Sequence, residues 1–397
     1  MDDRVRKLNI EITTRCNLNC PMCMRHALKE QTGDMSLDTY RALVPVFPQV
    51  ESINLIGTGE PLLHENIIEI VRLGKANLAP DGIFSLTTNA TLLSKDTARR
   101  LIRAGVDDIV VSVDSCKPDN FRQIRNGAGL EDVVRNIERF NRTKEQLGSY
   151  LPRVGFEFVA MKRNIAELPD IVDLAAQCRA GFVIVTHLLP HTEEMKDQIL
   201  YGFNSDEAIE LFNAAGKEAR KRGLELTFET PDVANYAYAL FGVPPLKDKL
   251  RSANPSRTKV RGFDEKMGRI FDLLDDLVAT ARQQNVLVNL KSLVQGDSPC
   301  LDHVPDIFAK AAARARKLKI DLDLPPLIPR TRRECGFIKD RIAFVSWDGW
   351  VRPCNNLYHS YTCYVNNREK SITAVNFGNV HTRLQRTLFF SPRAQLL

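Results

Sequence analysis

No apolar run in this 397-residue chain approaches the roughly 18–20 residues that a membrane span requires. The opening stretch, Met1-Asp2-Asp3-Arg4-Val5-Arg6-Lys7, is charged where a secretory signal would be apolar. The resulting expectation is a cytoplasmic protein with no membrane partner. Cysteine is scarce too: nine residues, scattered, are too few for a disulfide framework at this length. In a reducing compartment such thiols favour metal. Charge of a single sign is also missing. Lys and Arg number 55 against 49 Asp and Glu, for a net +6, and short groups such as Arg330-Thr331-Arg332-Arg333 are the exception. A nucleic-acid partner calls for basic residues gathered on one surface, so this distribution reads as ordinary solvated exterior.

What the chain does have is 44% hydrophobic residues, enough for one large α/β domain and a smaller one. Three of its cysteines stand together. Cys16, Cys20 and Cys23 form a C-x3-C-x2-C cluster directly after the alternating run Leu8-Asn9-Ile10-Glu11-Ile12, which reads as a strand. An odd number of thiols speaks against a disulfide. Three thiolates in one loop can hold three irons of a [4Fe–4S] cube and leave the fourth open for reaction. Zinc is the competing occupant at this point, with His26 as a fourth ligand.

Beyond the cluster, strand-like runs at 51–56, 83–87, 108–113, 154–159 and 182–186 alternate with helical windows at 36–46, 66–75, 95–104, 131–147 and 168–178. Ser36 and Ser94 stand where N-caps belong. Six β–α units predict a parallel sheet with right-handed crossovers, an incomplete (β/α)6 TIM-like barrel. By analogy with complete barrels, its ligand site lies at the C-terminal strand ends. Polar groups collect there: Gly57-Thr58-Gly59-Glu60-Pro61, Thr87-Thr88-Asn89-Ala90-Thr91, Ser112-Val113-Asp114-Ser115 and His187-Leu188-Leu189-Pro190. Singly, each suits a turn or a cap. At successive strand ends behind a three-cysteine loop, they suit a site.

Together these motifs resemble the radical SAM superfamily, over residue 8 to about residue 230. The resemblance implies that Cys16, Cys20 and Cys23 hold a [4Fe–4S] cluster whose open iron chelates S-adenosylmethionine (SAM). It implies that Gly57, Gly59 and Glu60 receive the methionine ammonium, glycines giving carbonyls access and Glu60 a charged acceptor. Thr88 and Asn89 resemble the polar pair after strand three. Ser112 and Asp114 resemble residues facing the ribose and methionine carboxylate, and Arg125 a carboxylate partner. Met22 stands where an aromatic residue often shelters adenine, and its thioether can pack the same way. Asn164 follows strand five, where the family often has Asn; a turn role serves equally.

Residues 205–327 carry a helix-then-strand pattern at 219–228, 279–290 and 315–324. One copy would close the barrel, and the others would form an insertion that starts in the Pro- and Lys-rich stretch 243–259. The expected division is a barrel at 1–232, an insertion or closure at 233–330 and a last segment at 331–397. In that segment Cys335 is followed by thirteen residues, Gly349, four more and Cys354. This resembles the opening of a SPASM or twitch domain, which holds auxiliary iron–sulfur clusters. A β-hairpin turning at Asp348-Gly349 would bring the two thiols together. Phe377-Gly378-Asn379-Val380 resembles the turn that follows. The pattern then departs from a full SPASM domain, as a truncated or divergent end would: only Cys363 lies beyond, and with Cys300 it makes at most four ligands for one auxiliary cluster. His359-Ser360-Tyr361-Thr362-Cys363 and the Pro-rich 325–329 resemble a branch of metalloenzyme maturases that includes modifiers of tungsten-pterin oxidoreductases.

The resemblance therefore implies an enzyme that cleaves SAM reductively to a 5′-deoxyadenosyl radical. The expected substrate is a peptide, a protein or a metallocofactor precursor, with a flavodoxin or ferredoxin as reductase. The alternatives are radical modification of a small molecule or nucleotide, and a metal-binding module without turnover.

Overall fold

The structure, a computed structural model, describes residues 5–200, 206–221, 263–286, 288, 303–327, 335–365 and 368–382. Cys300, the stretch 243–259, residues 222–228 of the first helix–strand copy and the tail beyond 382 lie outside them.

The strand–helix alternation folds as its periodicity predicts. Strands β1 (Lys7–Ile10), β2 (Ser52–Leu55), β3 (Ile83–Thr88), β4 (Asp108–Ser112), β5 (Arg153–Ala160) and β6 (Phe182–His187) pair in sequence order, all parallel. Helices α1 (Leu37–Leu43), α2 (Ile67–Asn77), α3 (Lys95–Ala104), α4 (Pro118–Ile124), α5 (Leu130–Gln146) and α6 (Leu168–Gln177) lie between them. The sequence reading lacks α4, a short helix opened by Pro118. Ser36 and Ser94 do cap their helices, their hydroxyls accepting from Thr39 N at 3.0 Å and Thr97 N at 3.1 Å.

Leu8, Ile10, Ile53, Leu55, Phe84, Leu86, Phe156 and Phe158 are completely buried. They form one alternate face of the sheet, and Phe84 presses so closely on α2 that a Cβ at Gly74 would fall 2.2 Å from its ring. Each such side chain contributes roughly 1.5–3 kcal/mol by leaving water. The apolar face is thus turned to the helices, and the intervening positions, among them Thr87, Glu157 and Val159, face the barrel interior.

Both sheet edges are extended from late in the chain. After the helix Val304–Leu318, β7 (Asp321–Asp323) adds parallel to β6. That helix packs on α6, where Arg314 Nη1 reaches Asp170 and Asp173 at 2.7 Å each. The 315–324 copy was expected to close the barrel or to belong to an insertion; it adds an edge strand beside β6. At the opposite edge, β8 (Ile342–Val345) lies parallel to β1, Lys7 beside Ile342. The chain turns at Gly349 (φ +83°) into β9 (Trp350–Arg352), the expected hairpin. A separate antiparallel pair is formed by β10 (Tyr361–Val365) and β11 (Arg368–Ile372), and β12 (Gly378–Asn379) pairs with β9. The result is a ten-stranded, mainly parallel sheet in order β12-β9-β8-β1-β2-β3-β4-β5-β6-β7.

Two compact units emerge. The first comprises Met1–Leu200, His303–Pro325 and Glu334–Leu397; the second comprises Tyr201–Asp302 and Pro326–Arg333. The described part of the second contains the helices Asp206–Lys221 and Phe263–Gln283, packed on each other. Among the described residues, no helix is long and apolar enough to cross a membrane.

Candidate active site

The cysteine loop leaves β1 and is pinned by its own neighbours. The Arg25 guanidinium donates to Cys16 O at 3.0 Å and to Leu18 O at 2.5 Å, and Cys23 N donates to Cys20 O at 3.0 Å. His26 does not join the thiols: its Nε2 lies 3.0 Å from the Cys20 carbonyl oxygen, engaged with backbone. Among the described residues no three His, Cys, Asp or Glu side chains gather round a single ion. Cys16, Cys20 and Cys23 instead line one cavity of about 260 Å³. Three thiols around a shared space are a donor set that fits a [4Fe–4S] cluster, one thiolate to each of three irons. Burial pushes the Cys20 thiol up, opposed by the charge of Arg125 nearby. Burial likewise raises Cys23, against a backbone hydrogen bond from Arg25. Binding a metal there would release protons.

The facing wall is the end of β2. Glu60, 2% exposed, accepts from Leu62 N at 3.0 Å and Thr88 Oγ1 at 2.7 Å on one oxygen, and from Asn89 N at 2.8 Å on the other. Burial raises its pKa, against those three bonds and Arg125. Asn89 in turn donates to Asn17 Oδ1 at 3.0 Å, and its Nδ2 stands 3.9 Å from Cys16 Sγ. Gly57 and Gly59 line the same cavity. Their missing side chains are not vacant space for a ligand. A Cβ at Gly59 would fall 2.2 Å from Thr13 O and 2.7 Å from Arg15 O, and one at Gly57 2.5 Å from Glu11 Cγ. The glycines let the cysteine loop and β1 pack against this turn, with Glu60 N bonded to Arg15 O at 2.7 Å.

Met22, Thr88, Asn89, Ser112 and Arg125 also line it. Asp114 does not reach it. That carboxylate is fully buried behind the wall, accepting from Arg125 Nε and, at 2.7 Å, from Val159 N. It positions Arg125, and Arg125 meets the cavity, its Nη1 4.0 Å from Cys20 Sγ. Sequence reasoning missed Glu157, which lines the cavity from the interior face of β5. Its pKa is raised by burial, against the Arg125 charge. An acidic residue amid the apolar run Val154–Val159 was the available signal. Asn164, fully buried, ties the loop ends together: its Nδ2 donates to Asp114 O and Val159 O, both at 2.9 Å, and its Oδ1 accepts from Met161 N at 2.8 Å.

At the C-terminal segment, Cys335 is exposed while Cys354 and Cys363 are buried. Burial raises the Cys354 pKa, against backbone hydrogen bonds from Asn356 and Leu357. Cys363, on β10, is raised mainly by burial.

Residues 10–175 match the radical SAM superfamily. A probable GTP 3′,8-cyclase of Methanococcus maripaludis is 32% identical over 247 residues, 58% of this chain and 79% of the relative. The chain belongs to the radical SAM superfamily. It is an enzyme of that superfamily, whose cofactors are SAM and a [4Fe–4S] cluster. A longer likeness, 24% identity over 393 residues, joins it to the tungsten-containing aldehyde ferredoxin oxidoreductase cofactor-modifying protein of Pyrococcus furiosus, spanning 98% of this chain and 82% of that protein. Its fold resembles Streptococcus suis SuiB, solved with its precursor peptide SuiA and with S-adenosylmethionine. Each comparison gives a TM-score of 0.51 at 13% identity, and the chain spans about two thirds of SuiB, 66% and 67%.

Proposed function

We propose that this radical SAM enzyme matures a peptide, a protein or a metallocofactor precursor. The observation that carries its chemistry is the facing arrangement of Cys16, Cys20 and Cys23 and the Gly57–Glu60 turn across a single cavity. When bound, the cluster supplies an open iron and an electron, and SAM the sulfonium whose cleavage yields a carbon radical. The protein's share is placement. The three thiolates hold the cluster. Glu60, its carboxylate fixed by Thr88 and Asn89, presents a charged acceptor to the methionine ammonium. Arg125, aligned by Asp114, offers the carboxylate a cation, while Asn89 and Ser112 face the rest of SAM and Met22 shelters adenine. Cys335 and Cys354, with Cys363 and Cys300, are the candidates for an auxiliary cluster. A flavodoxin or ferredoxin is the matching electron donor.

The substrate class rests on the near full-length likeness to a cofactor-modifying protein. The nucleotide-modifying alternative rests on a likeness limited to 58% of the chain. Protein purified anaerobically should be brown and form 5′-deoxyadenosine from SAM under dithionite. Changing Cys16, Cys20 and Cys23 together should remove about four irons and all SAM cleavage. Stoichiometric zinc in place of iron would sink the proposal, and turnover of GTP would replace the maturase reading.

A further inference from the structure

A chain of charges, buried at Glu11 and His359 and half-buried at Glu30, joins the C-terminal segment to the turn that faces the thiols. Glu11, just past β1, is 1% exposed. Its Oε1 accepts both the N–H and the hydroxyl of Thr58 at 2.9 Å, and its Oε2 lies 2.8 Å from His359 Nε2. The other ring nitrogen, Nδ1, stands 2.7 Å from Glu30 Oε2. Glu30 Oε1 accepts from Ser360 N at 3.0 Å and Ser360 Oγ at 2.8 Å. A carboxylate can only accept, so both imidazole nitrogens must donate, which only the imidazolium does. Each carboxylate also takes two further hydrogen bonds on its other oxygen. The guanidinium of Arg352, itself buried, adds a favourable charge toward both carboxylates. The ring is also fixed sideways: Tyr358 packs on His359 and on Phe344, centroids 4.4 and 4.0 Å apart.

Buried ion networks are poor stabilisers, since apolar side chains of similar volume usually serve as well. What distinguishes this one is where it ends. Thr58 lines the cavity and immediately precedes Gly59 and Glu60. Glu11 also fills the space that a side chain at Gly57 would need. The network therefore sets the conformation of that turn.

We infer that His359 is a positioning residue for SAM: through Glu11 it holds the Thr58–Glu60 turn in the geometry that meets the SAM ammonium. The inference rests on the reading of that turn given above. Docking of the C-terminal segment and SAM affinity are then linked, because each favours the same turn conformation. The test compares two ligands on full-length, cluster-reconstituted protein by anaerobic titration calorimetry: SAM, and 5′-methylthioadenosine, which lacks the amino-acid end. His359→Gln keeps most of the volume and removes the charge. It should weaken SAM about tenfold, leave methylthioadenosine binding unchanged and retain wild-type iron. His359→Ala should weaken SAM further, and Glu30→Gln less. Unchanged SAM affinity in His359→Gln overturns the inference, as does equal weakening of both ligands, the mark of a merely structural role. Wild-type protein that holds iron but binds no SAM overturns the underlying function itself, a distinct result.

Discussion

The Glu60 carboxylate reaches the cavity with its geometry already decided. Thr88, Asn89 N and Leu62 N hold both oxygens, so no side-chain entropy is left to lose when a cation arrives. Glu60→Ala should therefore weaken SAM by one charge-assisted bond, on the order of 1.5–3 kcal/mol, or roughly ten- to a hundredfold. Cluster iron should stay in place, because the cysteine loop rests on Gly59 and on the Arg15 backbone rather than on this carboxylate. Iron content and SAM titration on one sample separate the two effects; unchanged affinity would show the turn to be only a turn. At the same scale, Asp114 and Glu157 show what sequence pattern cannot resolve. Both are acidic residues at or near strand ends. Only the three-dimensional path of α4, which brings Arg125 back beneath the wall, turns Asp114 into a support and leaves Glu157 facing the cavity.

The elements themselves were legible because local rules agree with the tertiary fold. Ser36 and Ser94 cap the helices they precede, and the apolar face of each strand meets a helix. The polar positions just past β1 and within β5 are where legibility ends. In an open sheet the alternate polar face meets water; here Glu11 and Glu157 point into the barrel. The pairing of β8 with β1 is likewise beyond a sequence reading. The hairpin turn at Asp348-Gly349 is a local signal, whereas its partner strand lies over 300 residues away. Where elements meet, Asn164 does the joining. Asn164→Ala would leave Met161 N, Asp114 O and Val159 O without its side chain in a buried site. The expected loss is about 2–4 kcal/mol of stability, read as a lower denaturant midpoint at unchanged slope. A change within about 0.5 kcal/mol would show that these groups find other partners.

At the scale of the whole chain, two sets of thiols stand apart. One set lines the barrel cavity; in the other, Cys335 and Cys354 flank the hairpin beside β1 and Cys363 lies on β10. The first faces the Gly57–Glu60 turn, and the second does not line that cavity. Their roles should accordingly separate. If Cys335 and Cys354 help hold an auxiliary cluster, Cys354→Ala should lower iron per chain yet leave reductive SAM cleavage measurable, with turnover of the true substrate reduced. Cys20→Ala should abolish cleavage outright. The reason is positional: an electron reaching the barrel cluster and a SAM molecule held by Glu60 are sufficient for cleavage, whereas a cluster on the hairpin can act only in electron transfer, in substrate binding or as a brace. The deciding measurement is 5′-deoxyadenosine formed under dithionite by the two folded variants, beside their iron content. Loss of cleavage in Cys354→Ala as complete as in Cys20→Ala would join the two sets into one functional unit, with β8 against β1 as the route of that coupling. Iron content equal to wild type in Cys354→Ala would leave Cys354 as a buried packing group, and the added strands as a scaffold that carries His359 to Glu11.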